Sequence, residues 1–198
     1  MCEHDIRACV KASMSEKRFK HTEGCVSMVE RLAVHWGADV SLARRAAWLH
    51  DITKEMPYEE QLQLIDEHGI ILTGTQRSKK IIHAFSGSVL AWRKFDEPEE
   101  VCGAIRWHTT ARRGMTLLEK IIWLADLTEE GRDFSGVSKI RDLAFKSLTD
   151  ALIMGFDTTL SVLISRGSEI DANMIEARNF EIAGKLKGTE DEKNRFKQ

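Results

Sequence analysis

The chain of 198 residues carries 29 basic and 31 acidic side chains, and a net charge of −2 lacks the basic excess of a dedicated duplex-binding domain, so nucleic acid is not an expected partner. Apolar residues make up 42% and charged residues 30%, enough for one continuous core under a solvated surface. With only 2 prolines and 13 glycines the sequence is too poor in turn formers for a β-sandwich, and helix is the economical expectation.

Apolar residues recur at spacings of three and four through most of the chain, the pattern of amphipathic helices, and alternating runs long enough for strands are few. A first helix is expected over 3–12. Ser13 or Ser15 can cap the second, which carries His21, runs through Phe19, Val26, Val29, Leu32 and Ala33, and stops at Gly37. Asp39 or Ser41 caps a third, whose Ala46, Ala47, Trp48 and Leu49 lead directly into His50 and Asp51. Pro57 opens a helix over 58–67 that Gly69 ends, and a loop over 69–78 follows. A helix over 79–95 carries His83, and Pro98 opens the next, which leads through Val101 and Ile105 to His108. The connection 109–114 is basic and hydroxyl-rich. Leu117, Leu118, Ile121, Ile122, Leu124 and Ala125 then form a strongly apolar helix that ends near Asp126. Residues 131–136 read as loop, and 137–145, 149–166 and 173–186 as helices. With no linker or repeat, residues 1–186 are expected to be one all-α domain, followed by a charged, flexible tail over 187–198.

Cys2, Cys9, Cys25 and Cys102 form no CxxC pair, and the N-terminus shows no basic start followed by an apolar run and a cleavage site. The thiols are expected to be reduced, small hydrophobes in a cytoplasmic protein. No apolar stretch reads as approaching the length of about eighteen residues that crosses a bilayer, so no membrane partner is expected. The apolar C-terminal helices would serve equally as core or as a homodimer interface.

Six metal-capable side chains lie on or beside apolar helices: His21, His50, Asp51, His83, His108 and Asp126. Burying a carboxylate after Trp48 and Leu49 costs several kcal/mol unless a cation or a strong donor compensates it. Asp126 makes the same demand after Ile122, Trp123, Leu124 and Ala125. Two such acids and four histidines point to one shared cation site, with ligands that suit iron, manganese, cobalt or zinc better than magnesium.

A histidine, then His-Asp, then a distant aspartate is the signature of the HD-domain phosphohydrolases, and the chain resembles them through His21, His50-Asp51 and Asp126. Over about 18–179 it is further similar to the symmetrical diadenosine tetraphosphate hydrolases. The stretches that carry this are Arg18-Phe19-Lys20-His21-Thr22, Leu49-His50-Asp51-Ile52-Thr53-Lys54, His108-Thr109-Thr110 with Gly114-Met115, Lys120 through Asp126, Gly131-Arg132-Asp133-Phe134, and Ile175-Glu176-Ala177-Arg178-Asn179. The resemblance implies a helical HD bundle and cleavage of diadenosine tetraphosphate into two ADP by metal-activated water. It also implies a dinuclear centre, with iron as first choice: Asp51 bridges the ions, His21, His50 and Asp126 complete one sphere, and His83 and His108 complete the other.

A polyphosphate needs cationic clamps. Lys54 lies three residues after Asp51 and is the expected catalytic cation. Arg18 lies three before His21, on nearly the same face of its helix. Arg132 and Arg178 match the segments that the resemblance places over the nucleotide, and Thr109 and Thr110 have hydroxyls for phosphate or for a helix cap. Arg112 and Arg113 read as solvated or ion-paired surface, Trp36, Trp48, Trp92 and Trp123 as core, and Trp107 beside His108 as core or, alternatively, as a residue that stacks on a base or lines the pocket. The alternatives are a broader nucleotide pyrophosphatase or phosphodiesterase on the same centre, and a non-catalytic nucleotide-sensing module. The last should have lost ligands, and all six are present. No Nudix-type glutamate-rich helix and no GxGYP segment after His108 is found, against asymmetrical cleavage by the first family and cyclic-dinucleotide hydrolysis by the second.

Overall fold

Helix caps and breakers in the sequence set most of the element boundaries. In the computed structural model, which describes residues 2–195, these are α1 (Glu3–Ser13), α2 (Glu16–Trp36), α3 (Val40–Leu49), α4 (Tyr58–Asp66), α5 (Ile82–Phe95), α6 (Glu99–Trp107), α7 (Leu117–Thr128), α8 (Val137–Ala144), α9 (Leu148–Ser165) and α10 (Ala172–Arg195). A 3-10 turn covers Thr75–Arg77, and the described residues contain no strand. The expected all-α class is what is found.

Ser15 caps α2 by accepting from the Arg18 backbone N–H, and Gly37 ends it in the left-handed region at φ 72°. Asp39 caps α3 by accepting from Leu42 N–H. Thr116 and Glu119 form a reciprocal capping box on α7, which also takes Glu119 out of the reach of solvent. Arg112 pairs with this Glu119 at 3.0 Å, as its reading as a surface ion-pair partner anticipated. Two positions had no marker in the sequence. Asp96 closes α5 at φ 54°, and Ala111 turns the chain after α6 at φ 58°, both in the left-handed region without being glycine.

One apolar cluster runs from Ile6 to Ala177, with Leu32, Leu49, Phe95, Ile105, Ile121, Leu124 and Phe156 fully buried. Each such side chain contributes about 1.5–3 kcal/mol of hydrophobic stabilisation. Within it α2 packs on α3 and α7, and α6 packs on α3, α5 and α7. The outer helices extend this centre, α8 and α9 covering α7 and α10 covering α9. A second cluster of Ile65, Leu72, Ile82 and Phe85 fills the space under α4 and the 69–81 connection.

Some expectations need correction. Helix α5 starts at Ile82 rather than 79, because Ile81 and Ile82 both donate to the Ser78 carbonyl in a preceding turn. Helix α10 continues through Arg195 past the expected stop at 186, so the tail expected from Lys187 is in part helix; residues 196–198 lie outside the described residues. Trp92 is 58% exposed and packs edge-on against His68 instead of entering the core. Helix α9 has the length and apolar composition of a membrane-crossing segment, against the expectation that no apolar stretch approaches that length. Its Ala151, Leu152, Gly155 and Phe156 are buried in the bundle.

Helices α7 and α9 approach tightly at Gly155, where a Cβ would lie 2.7 Å from Trp123 Cζ3 and 2.9 Å from Leu127 Cδ2. Gly155→Ala is therefore expected to force α9 away from α7 and lower stability by about 1–3 kcal/mol, the usual cost of overpacking. Urea unfolding should show a lower midpoint at unchanged slope, and an unchanged midpoint would mean that the crossing has slack.

Candidate metal centre

The six candidate ligands converge from five segments. His21 comes from the middle of α2, His50 and Asp51 from the turn that ends α3, His83 from the first turn of α5, His108 from the residue after α6, and Asp126 from the last turn of α7. The turn after α3 is held by Lys54 N–H donating to the Asp51 carbonyl and by Glu55, which accepts from both the backbone and the hydroxyl of Ser15. Thr53, fully buried, donates to the His83 carbonyl and so locks this turn to α5.

Asp51 is the hub. It is 3% exposed, and its two oxygens face different histidines. Oδ1 lies 3.1 Å from His83 Nε2 and 3.7 Å from His108 Nε2. Oδ2 lies 3.6 Å from His50 Nε2 and 3.9 Å from His21 Nε2, and accepts from Arg18 Nη1 at 2.8 Å. His21 Nε2 in turn lies 3.1 Å from Asp126 Oδ1.

Hydrogen bonding on the far side of two rings fixes what the near side offers. His50 Nδ1 donates to the Ala47 carbonyl at 2.7 Å, and His108 Nδ1 donates to the Ile105 carbonyl at 2.7 Å. Each ring therefore presents a bare Nε2 lone pair to the cluster. His50 Nε2 is buried and has no hydrogen-bond partner, an omission that costs about 1–3 kcal/mol unless something else meets the lone pair. His83 Nε2 and His108 Nε2 are only 3.1 Å apart. Cations relieve both defects, and neutral imidazoles with carboxylates are the donor set of first-row divalent metals. The residues present fit such ions.

Charges in the cluster follow the same logic. Burial pushes His50 down to about 4 and His83 down to about 3, so both rings are neutral at pH 7. Burial opposes ionisation of Asp51, but the surrounding histidines, His50 first and then His108 and His83, hold its carboxyl well below the usual range. Asp126 is likewise held down against burial by the His21 hydrogen bond, His50 and Arg132. Burial also works against a charged His21 and is outweighed by the bond to Asp126, which raises it.

Of the expected substrate contacts, Arg18 and Arg132 stand at the rim. Arg132 Nη2 donates to Asp126 Oδ1 at 2.5 Å and its Nε to the Asp126 carbonyl at 2.9 Å. Lys54 Nζ lies 3.1 Å from the His83 ring nitrogens, and burial lowers its pKa. Thr109 lines a groove beside His108 with its hydroxyl unpartnered, whereas the Thr110 hydroxyl is buried against the neighbouring Ala111 carbonyl. Arg178 is not brought to the cluster: its guanidinium pairs with Asp157 on α9. Trp107 packs edge-on against Phe85 in the second cluster, and Trp123 lies in the core as read, 4% exposed, while also bordering a groove.

Two grooves flank the cluster and share Arg132. One, of about 880 Å³, carries charge of both signs, with Lys17, Arg18, Lys20, His21 and Arg132 facing Glu23, Glu55, Glu129 and Glu130. The other, of about 470 Å³, is mostly apolar, with Trp123, Leu127, Phe134 and Leu163 beside His108 and Asp126.

Two residues at the site had escaped the sequence reading. Glu129 is 5% exposed, lies 3.2 Å from His21 Nδ1, and accepts from Gly131 N–H. Gly24 and Gly131 leave the room it occupies, since a Cβ at either would meet its carboxylate; the glycine three residues after His21 was the available signal. Cys25, one helical turn beyond His21, places Sγ 3.6 Å from His21 Nε2. Burial, then the fields of Asp126, Asp51 and Glu129, push its thiol up.

Residues 18–131 match the HD domain family, and the chain belongs to it. The symmetrical bis(5'-nucleosyl)-tetraphosphatase of Bacillus subtilis (strain 168) is 35% identical over 185 residues, which cover 93% of this chain and 100% of the relative. The enzyme of the same name from Halalkalibacterium halodurans is 35% identical over 175 residues, or 86% of this chain and 91% of the relative. A crystal structure of a predicted HD superfamily hydrolase involved in NAD metabolism, from Clostridium acetobutylicum, superposes with a TM-score of 0.88 at 36% identity, covering 92% of this chain and 98% of that one. Within the HD class, the chain falls in the family of the symmetrical bis(5'-nucleosyl)-tetraphosphatases.

Glu129→Gln replaces the charge behind His21 while keeping the volume, and is expected to weaken metal binding by about 10–100-fold, the scale for losing the outer partner of a ligating histidine. Equilibrium dialysis reads it, and unchanged affinity would reduce Glu129 to a loop clasp. In the metal-stripped protein His50 and His83 are neutral where the unfolded chain has ordinary histidines near 6.5. The unfolded chain thus binds protons first as pH falls, and stability is lost from about pH 6.5 downward. His21, raised, works in the opposite direction but is one ring against two. The melting temperature should fall steadily between pH 7 and 4, and a flat profile would contradict the neutral rings.

Proposed function

We propose that the chain hydrolyses dinucleoside tetraphosphates symmetrically, diadenosine tetraphosphate giving two ADP. The observation that carries this is the position of the cluster at the seam between two grooves, one mostly apolar and one charged, in which Lys17, Arg18, Lys20 and Arg132 stand among Glu23, Glu55, Glu129 and Glu130, room for a substrate with two nucleoside halves. The Asp51 oxygens favour two cations: His83 and His108 with Oδ1 would hold one, and His21, His50 and Asp126 with Oδ2 the other. Iron is the first choice, with manganese, cobalt and zinc suited to the same donors. Such ions supply Lewis acidity toward a phosphoryl oxygen and lower the pKa of water toward neutrality.

The chain's own residues bind and orient. Phe134, half-buried at the wall that Trp123 backs, offers a ring for a base in the smaller groove, and Thr109 offers a hydroxyl between base and cluster. Lys54, Arg18 and Arg132 neutralise the phosphates on either side of the one attacked, so that negative charge moving to the leaving diphosphate meets fixed cations. Arg178 joins them only by leaving Asp157. With a nucleoside diphosphate filling the space from the aromatic wall to the cluster, the second phosphate is the one in reach, and the other nucleoside diphosphate departs into the charged groove.

Product analysis after reaction in oxygen-18 water tests this. ADP alone is expected, with label in one of the two molecules, and early ATP with AMP would overturn the assignment. Lys54→Ala should lower turnover by roughly two to three powers of ten, the scale of a lost electrostatic donor, without releasing metal. Normal turnover in this variant would remove Lys54 from the mechanism.

A further inference from the structure

The sulfur beside His21 gives the cluster a donor that the six candidate ligands do not include. His21 Nε2, Cys25 Sγ, His50 Nε2 and an Asp126 oxygen belong to four residues whose donor atoms lie within 4.8 Å of one another, while His50, Asp51 and His108 form a second such set without sulfur. Cys25 is 2% exposed, and its Sγ lies 3.6 Å from His21 Nε2 and 3.9 Å from His21 Nδ1. An ion with bonds of about 2.0–2.3 Å holds its adjacent donors roughly 2.8–4.0 Å apart. The 3.6 Å from Cys25 Sγ to His21 Nε2 falls in that interval. The unpartnered His50 Nε2, in a residue 1% exposed, is an independent sign that this space is built for a cation.

We propose that Cys25 is a thiolate ligand at the His21, His50 and Asp126 position, so that the two cation positions differ, one thiophilic and one purely nitrogen and oxygen. On binding, the metal–sulfur bond replaces the S–H bond, and the proton leaves to solvent by way of the adjoining groove; a coordinating thiol is deprotonated outright. Soft donors favour zinc, ferrous iron, cobalt or cadmium over manganese and magnesium. The wall that selects the metal is then α2, which supplies both His21 and Cys25. The inference rests on the reading of the cluster as a metal centre.

Cobalt substitution of the whole protein separates the two ideas. The wild type is expected to show a near-ultraviolet thiolate-to-cobalt charge-transfer band along with visible ligand-field bands. Cys25→Val, which keeps an apolar filler, and Cys25→Ser, which keeps an oxygen, should both lose the charge-transfer band and keep cobalt. Cadmium affinity should fall on the order of 10–100-fold in Cys25→Val, while manganese affinity holds, with circular dichroism showing the same helix content. Ligand-field bands without a thiolate band in the wild type would overturn the ligand role of Cys25 and leave the centre standing. A thiolate band that survives in Cys25→Val would do the same. Failure of cobalt to bind at all would overturn the centre and this inference together.

Discussion

A carboxylate sealed into a helical core sets the terms for everything around it. Asp51 cannot sit at 3% exposure behind Trp48 and Leu49 without positive charge or strong donors facing both of its oxygens. The fold answers by bringing α2, α5 and α6 to it with a histidine each. These helices also have to pack, so the same apolar faces that bury Leu32, Ile105 and Ile121 decide where the imidazoles meet. Core and site are one construction, and the site is stiff because its ligands ride on elements that the core holds.

Much of this was legible in the sequence because it was written in local chemistry. Ser15, Gly37, Asp39 and Thr116 mark their own helix ends, and a buried acid after an apolar run advertises its need at Asp51 and Asp126 alike. What stayed hidden depended on contacts between distant segments. Glu129 reads as a solvated acid until Gly24, more than a hundred residues away, is seen to make room for it. Arg178 reads as a free cation until α9 brings Asp157 to it. Trp107 and Trp123 have similar apolar neighbours along the chain, and only the packing of α6 against α5 and of α7 against α9 sends one to the second cluster and the other to a groove. The left-handed Asp96 and Ala111 were invisible for another reason: residues other than glycine adopt that region when the surrounding structure compels it.

The loop after α7 is governed from outside the groove it serves. Arg141 on α8 donates to the carbonyls of Thr128, Glu129 and Arg132, three acceptors gathered by one guanidinium. The backbone path that presents Glu129 to His21 and Arg132 to Asp126 is thus drawn by hydrogen bonds from α8 to main-chain carbonyls alone. Shape and chemistry in this segment are therefore separable: the course of the main chain from Thr128 to Arg132 is held by α8, and its side chains are left to serve the cluster and the ligand. A lineage altering the groove could retune recognition here by single substitutions without rebuilding the loop, whereas loss of Arg141 would unmake every function the loop carries at once.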